Sequence, residues 1–264
     1  MLKNKQVLIE TDADKFPQFE HLIETGGYGF EINDFCYPAI MCDDSLYKKR
    51  ISDYKKITRK YSDRAITLHG PFFSLIIHSN DPDIAKISKR KIIRSIQTAT
   101  ELNCRKVIFH TGVIPQAVGH ILNEIAKVHC GFWGEMLEKY KDIEICIENV
   151  WEKNTDFFEI LLQNVNNSRF TMCIDNGHAN VYSCTAFFEW INRLRKYISH
   201  VHLSDNDTIT DQHLGLGIGR LDVLNEINEL EKVNENLTYK LEVHSYEGIK
   251  ESLNFMFDKN ILQP

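Results

Sequence analysis

The sequence predicts a (β/α)8 barrel, read as one domain over residues 1–264. Three observations predict it. The chain has 264 residues, close to the ~250 typical of that fold. Eight short β-rich runs alternate with eight longer amphipathic stretches, and nearly every late run ends in His, Asp or Glu. The candidate strands are Gln6–Glu10, Gly29–Ile32, Ala65–His69, Lys106–His110, Ile143–Glu148, Phe170–Asp175, Ile198–Leu203 and Thr238–Val243. Helical patterns lie near 16–25, 46–61, 83–102, 117–139, 155–164, 185–196, 221–233 and 246–257. A helix after every strand implies right-handed crossovers and a parallel sheet. Eight such units close on themselves. The competing open doubly wound sheet usually carries a Gly-rich phosphate loop after its first strand. Here the first strand ends Leu8-Ile9-Glu10-Thr11-Asp12, without such a loop.

Composition narrows the class. Hydrophobic residues make up 43% and charged residues 26%, a balance that argues for a packed core and against disorder. The seven cysteines show no C-x-x-C spacing, and Cys104, Cys146 and Cys173 sit in apolar strand or strand-edge contexts. They read as small core residues in a reducing, cytoplasmic setting. The opening residues run straight into an apolar stretch too short for a signal peptide. No apolar run approaches the ~20 residues of a membrane helix, so no membrane partner is expected. The net charge of −6 is unevenly spread: Leu46 to His110 holds fifteen Lys/Arg against five Asp/Glu. Most of that block falls on two expected outer helices, either as solvated faces or as a surface for a polyanion or an acidic partner. Connections read as mostly short, apart from a long irregular stretch at Ser204–Arg220.

The strand ends carry the chemistry. They read Ile-Thr-Leu-His69, Val-Ile-Phe-His110, Cys-Ile-Glu148, Cys-Ile-Asp175-Asn-Gly-His178, His200-Val-His202 and Leu-Glu242-Val-His244. Barrel enzymes keep their active sites at that end. Strand parity sets Asp175 with Cys173 and Thr171, opposite Met172 and Ile174; it sets Glu242 with Lys240, opposite Leu241 and Val243. The bulky apolar set suits the helix layer, so the ionisable set faces the barrel interior. Carboxylates gathered in one small volume repel, and imidazoles among them make a divalent cation the simplest neutraliser. Mixed nitrogen and oxygen donors suit zinc, manganese or iron better than magnesium or calcium. The long loop adds Asp211-Gln212-His213 and three closely spaced glycines. His200 is expected one layer down and His244 on the helix-facing side. His21, His78, His120 and His129, away from strand ends, read as structural.

With these residues in view the chain resembles the xylose isomerase-like barrel superfamily, which holds sugar and sugar-phosphate isomerases and epimerases together with endonuclease IV. The motifs that carry the resemblance are LHGPF (68–72), FHTG (109–112), CIENV (146–150), CIDNGHAN (173–180), HVHLSDN (200–206), DQHLGLGIG (211–219) and LEVH (241–244). In the isomerase and epimerase branch the resemblance implies one metal on Glu148, Asp175, His202 and Glu242. In the endonuclease IV branch it implies three zinc ions on His69, His110, Glu148, Asp175, His178, His202, Asp211, His213 and Glu242. Two departures stand out: Gly217-Ile218-Gly219 replaces a common Gly-Glu-Gly, and no Glu-x-Lys follows strand five, which disfavours xylose isomerase itself.

Two mechanisms follow from the resemblance. The reading placed first is a zinc- or manganese-dependent isomerase or epimerase of a small carbohydrate, in which Glu148 and Glu242 move the proton of a metal-stabilised enediolate. Phe72, Phe73 and Trp151 would wall the sugar, and Arg220 would meet a phosphate. The alternative is a phosphodiesterase of the endonuclease IV type, for which Glu148 bridges ions. The acidic net charge opposes duplex DNA as a partner, because duplex binding depends on phosphate neutralisation. A metal-binding barrel without catalysis is the third reading.

Overall fold

The computed structural model describes residues 2–263. Eight strands close into a parallel barrel in sequence order: β1 (Val7–Thr11), β2 (Gly29–Ile32), β3 (Ile66–His69), β4 (Lys106–His110), β5 (Glu144–Glu148), β6 (Phe170–Asp175), β7 (Ile198–Leu203) and β8 (Thr238–Leu241). The helices, in chain order, are α1 (Phe16–Gly26), α2 (Pro38–Met41), α3 (Asp44–Lys60), α4 (Pro82–Glu101), α5 (His120–Lys139), α6 (Asp156–Val165), α7 (Asn176–Tyr182), α8 (Phe187–Leu194), α9 (Val223–Glu231) and α10 (Tyr246–Asp258). No helix among the described residues is long and apolar enough to cross a membrane.

Local chemistry explains where the helices start. Asp43 accepts from the amides of Ser45 and Leu46 at the head of α3, and Asp81 does the same for Asp83 and Ile84 ahead of Pro82 in α4. Ser245 accepts from the Gly248 amide at the head of α10. Each side-chain oxygen satisfies amides that a helix start leaves unpaired.

Strand parity sorts the interior into two environments. Phe30, Leu68, Phe109, Ile147, Met172, Ile174, Val201 and Leu241 belong to the large apolar layer between barrel and helices. The inward set is far more polar. At the foot lie Lys106, Glu144 and Thr171, with Glu144 3.3 Å from the Lys106 ammonium and accepting from Thr171 at 2.8 Å. Above them Ile108, Cys146 and Cys173 form a small apolar cluster of their own. Two residues further along, at the mouth, come His110, Glu148 and Asp175. The pairing of β6 with β7 jumps from Met172↔Ile198 to Cys173↔His200, so Ser199 is an extra residue in β7. That bulge keeps His200 and His202 on the inner face.

The structure departs from the sequence reading at several edges. The first strand runs Val7–Thr11, one residue later than Gln6–Glu10, because Asn4–Gln6 forms a tight turn. The last strand stops at Leu241, so Glu242 and Val243 lie beyond the regular ladder. The short helices α2 and α7 are too brief to show a periodic pattern. Segments 70–81 and 111–119 are long connections at the mouth, in addition to 204–222, so the expectation of mostly short connections fails there.

One side chain ties α5 to the sheet. The Arg169 guanidinium donates to the carbonyls of Leu137 at 2.7 Å, Tyr140 at 2.8 Å and Ile143 at 3.2 Å. It thereby satisfies carbonyls that the end of a helix leaves unpaired. Replacing Arg169 with Ala is expected to destabilise the fold by about 2–3 kcal/mol, since hydrogen bonds from a charged donor contribute ~1.5–3 kcal/mol each and water recovers part of the loss. Chemical denaturation would measure it; a change below ~0.5 kcal/mol would show that the three bonds do not hold the α5–β5 corner.

Candidate metal centre

Glu148, at the end of β5, is fully buried at the centre of the mouth. Four imidazoles reach its two oxygens. Oε2 lies 3.2 Å from His69 Nε2 and 3.3 Å from His110 Nε2; Oε1 lies 3.3 Å from His178 Nδ1 and 3.2 Å from His202 Nδ1. His202 Nδ1 also lies 2.9 Å from Glu242 and 3.9 Å from Asp175. On the other wall Asp211 Oδ2 lies 3.2 Å from both His178 Nε2 and His213 Nε2. All nine residues singled out as metal donors therefore meet in one cluster.

Within it, three donor groups have ligand atoms lying within 4.8 Å of one another: Glu148–Asp175–His202–Glu242, His69–Glu148–His202 and His178–Asp211–His213. Glu148 Oε1, Asp175 Oδ2, His202 Nδ1, Glu242 Oε2 and Asp211 Oδ1 are buried without a hydrogen-bond partner. Buried polar atoms are normally satisfied, so their convergence fits divalent cations with mixed nitrogen and oxygen donors.

The neighbours of these candidate donors fix their aim. His69 Nδ1 lies 2.9 Å from the Gly70 carbonyl, His178 Nδ1 2.9 Å from the Asn149 carbonyl and His213 Nδ1 3.2 Å from the Glu242 carbonyl. Each carbonyl accepts from Nδ1–H and leaves Nε2 free to face the centre. His202 is turned the other way, with Nε2 3.3 Å from Glu31. Two asparagines extend the sheet ladder past the strand ends. The Asn149 amide accepts from Asp175 N at 2.9 Å and donates to Asp175 O at 3.0 Å; Asn176 repeats this on Ser204 with 3.0 Å in each direction. The Asp175 carboxylate also accepts from His178 N at 2.6 Å, so one residue is both a candidate ligand and the cap of α7.

Electrostatics show how the cluster balances its own charge. Burial pushes Glu148 up, but His202 and His110 outweigh it and hold the carboxyl well below the usual range. Burial, with the charges of Glu242 and Glu148 nearby, pushes Asp175 well above it against the pull of His178. Burial disfavours charge on His213, yet Asp211 and Glu242 prevail and push it up to about 9. His178 is likewise raised, against burial, by Asp175, Asp211 and Glu148, and His202 by Cys173, Glu148 and Glu242.

Other singled-out residues divide. Phe72 stacks on His110 with ring centroids 4.9 Å apart, and Phe73 and Trp151 stand half-exposed at the rim of the same cleft. Arg220 is exposed and stands outside the residues lining the cleft. His200 sits one layer down, 2.6 Å from Thr238 and 3.2 Å from Glu31. His244, expected on the helix-facing side, instead lines the cleft 3.3 Å from Glu10, because the alternation ends with β8 at Leu241. His78 and His129 pair with each other at 3.1 Å and stand outside the residues lining the cleft.

The sequence reading passed over Glu10, Glu31 and the clamps Asn149 and Asn176. The buried Lys240 ammonium lies 3.0–3.3 Å from Glu10, Glu31 and Glu242. Glu31 was legible in principle as the one ionisable residue of Gly-Phe-Glu-Ile.

The long loop is drawn in by Asp205, which accepts from the amides of Asn206, Gly217 and Leu221 at 2.8–3.0 Å. A Cβ on Gly219 would overlap Asp205 and the Asn206 backbone, which explains a glycine there. Ile218, in the place of a common Glu, is exposed.

Because His213 is pushed up to about 9, and His178 and His202 shift in the same direction, the metal-free protein favours protonated imidazoles there. A cation must displace those protons. Divalent-metal binding is therefore expected to release protons at pH 7 and to tighten as pH rises toward about 9, where His213 gives up its own. Calorimetry in buffers of differing ionisation enthalpy would count the protons, and zero release at pH 7 would contradict this charge state.

Comparison with known proteins places this geometry. The family model described as "Xylose isomerase-like TIM barrel" matches residues 19–259. A protein of Methanocaldococcus jannaschii named "Uncharacterized protein MJ1311" is 26% identical over 238 residues, 83% of this chain and 81% of that one. A "Probable endonuclease 4" of Mycoplasmopsis synoviae is 26% identical over 162 residues, 56% of each chain. Among solved structures, the TTHB071 protein from Thermus thermophilus, soaked with ZnCl2, superposes with a TM-score of 0.77 at 22% identity, covering 96% of this chain and 97% of that one. A D-tagatose 3-epimerase-like protein follows with a TM-score of 0.76 at 19% identity and the same coverage. With the closed eight-stranded barrel and a match across nearly its whole length, the chain belongs to the xylose isomerase-like TIM barrel family.

Proposed function

We propose that this protein is a metal-dependent phosphoesterase that holds up to three divalent cations of the zinc or manganese type and cleaves a phosphate ester of a small, sugar-containing molecule. One observation carries the reading. A single-ion isomerase needs the Glu148–Asp175–His202–Glu242 group, but His178–Asp211–His213 forms a further donor group on the opposite wall, and His69 with His110 adds more imidazoles on Glu148. The partial match to a protein named endonuclease 4 agrees with it.

When bound, the cations supply Lewis acidity and neutralise charge that develops at phosphorus. The chain does the rest. Glu148 is shared between donor groups and fixes their spacing. Asn149 and Asn176 hold the strand ends that carry Glu148, Asp175 and Ser204 in register. The cleft above measures about 590 Å³ and is walled by Tyr37, Phe72, Phe73, Trp151 and Tyr182. That size suits a small molecule. No Lys or Arg lines it among the described residues, so the walls do not offer the cationic contacts that grip a long phosphate backbone.

The same cation-free aromatic cleft favours a second reading, proton transfer on a neutral ketose by Glu148 and Glu242. Two measurements separate the readings. Metal analysis is expected to give more than one ion per chain, falling in Asp211→Asn. Hydrolysis across a panel of sugar phosphodiesters and phosphomonoesters is expected to drop about 10²–10³-fold in the same variant, as loss of several kcal/mol of charge stabilisation implies. Deuterium exchange into a ketose that persists undiminished in Asp211→Asn, with one ion per chain, would replace the hydrolase by the isomerase.

A further inference from the structure

The far end of the barrel is not sealed. Below the apolar cluster of Ile108, Cys146 and Cys173, a cavity of about 660 Å³ opens at the N-terminal ends of the strands. A second cavity of about 460 Å³ adjoins it, sharing Arg64, Ile66 and Arg105. This is where part of the basic block between residues 46 and 110 comes together. It stands apart from the metal centre, which occupies the opposite end of the same strands.

The cations here are unequally committed. Lys106 is used internally: it donates to Ser199 O at 2.8 Å and lies 3.3 Å from Glu144. Lys55 is paired with Glu101 at 2.6 Å. Arg105, by contrast, has no carboxylate partner among the described residues, and neither does Arg59. Arg64 is only loosely held: it donates to the Gly27 carbonyl at 3.3 Å, while its Nε is buried without a hydrogen-bond partner and its nearest carboxylate is Asp63 at 3.7 Å. Lys196 lies over the Tyr197 ring at 4.7 Å on the opposite wall. Ser168, Asn234 and Asn236 add neutral polar groups. A pocket that concentrates weakly committed guanidinium groups is complementary to an anion with several phosphate oxygens, which a guanidinium meets with two parallel hydrogen bonds. Its concave shape and volume match a small ligand better than a flat macromolecular surface.

We propose that the foot of the barrel is a binding site for a small polyphosphate anion, held between Arg64, Arg105 and Lys196. Inorganic polyphosphate and the triphosphate of a nucleotide share the required chemistry. The site does not depend on the reaction proposed for the mouth, because it uses no metal donor.

The test is fluorescence anisotropy of a labelled ATP on the full-length, metal-loaded protein, with displacement by unlabelled ATP and by inorganic tripolyphosphate. The same titration is repeated after chelator treatment, with folding checked by circular dichroism. Binding is expected in both states with affinities within about twofold. It is expected to weaken at least ~10-fold in Arg105→Glu, as removal of a charge-assisted contact implies. Arg105 is exposed, and its side chain makes no hydrogen bond or ion pair among the described residues, so that variant should fold. Asp211→Asn, which alters only the mouth, should leave the affinity unchanged. Displacement by tripolyphosphate as strong as by ATP assigns the phosphates as the whole epitope; stronger displacement by ATP adds the nucleoside. Binding lost on chelation, binding indifferent to Arg105→Glu, no binding at millimolar probe, or tighter capture of a DNA oligonucleotide than of either phosphate probe would each overturn the proposal.

Discussion

Glu148 is buried to zero exposure, and an isolated carboxylate there would cost many kcal/mol. Four imidazoles from β3, β4, β7 and α7 meet that cost by converging on its two oxygens. Their convergence constrains the rest of the mouth. Each imidazole must be aimed, so backbone carbonyls occupy the Nδ1 atoms of His69, His178 and His213, while Glu31 faces the far side of His202. Each strand end must hold its level, so Asn149 and Asn176 extend the ladder with side-chain amides.

The same constraint reaches one layer down. A closed barrel of eight short strands has little interior volume, and its inward positions are normally filled by branched apolar residues. Here Glu31, Lys240 and His200 occupy that space with hydrogen-bonded and ion-paired contacts. Lys240 lies 3.2 Å from one oxygen of Glu242 and leaves the other facing His202. The interior is thus a column of charge that alternates in sign from mouth to middle, interrupted by the Ile108–Cys146–Cys173 cluster before the polar foot. Stability is left to the outer apolar layer, where Trp133, Trp190, Tyr239 and the phenylalanines pack between strands and helices.

Side-chain chemistry divides along the same axis. The mouth is acidic and imidazole-rich, walled by aromatic rings; the foot mixes five guanidinium and ammonium groups with the carboxylates of Asp63, Glu144 and Glu235. The net charge of −6 hides this separation, since it averages over two ends of different composition.

The fold class and the inward-facing ionisable residues of the strands were legible in the amino-acid sequence. Alternation with a period of two places His69, Glu148 and Asp175 on the inner face, and eight β/α units leave a barrel as the natural closure. Strand edges drifted by a residue or so where a turn or a cap intervened, as at Val7 and Leu241. Other features belonged to tertiary structure alone. The His244 ring turned to the cleft because pairing stops before it, and parity has no meaning outside a ladder. Arg220 fell outside the cleft because the loop's course is set by Asp205 reaching three amides. Asn149 and Asn176 read as ordinary loop residues, since their role depends on which backbone lies beside them. The grouping of Arg64 and Arg105 with Lys196, which is distant from both in sequence, exists only because closing the barrel brings all strand starts to one ring.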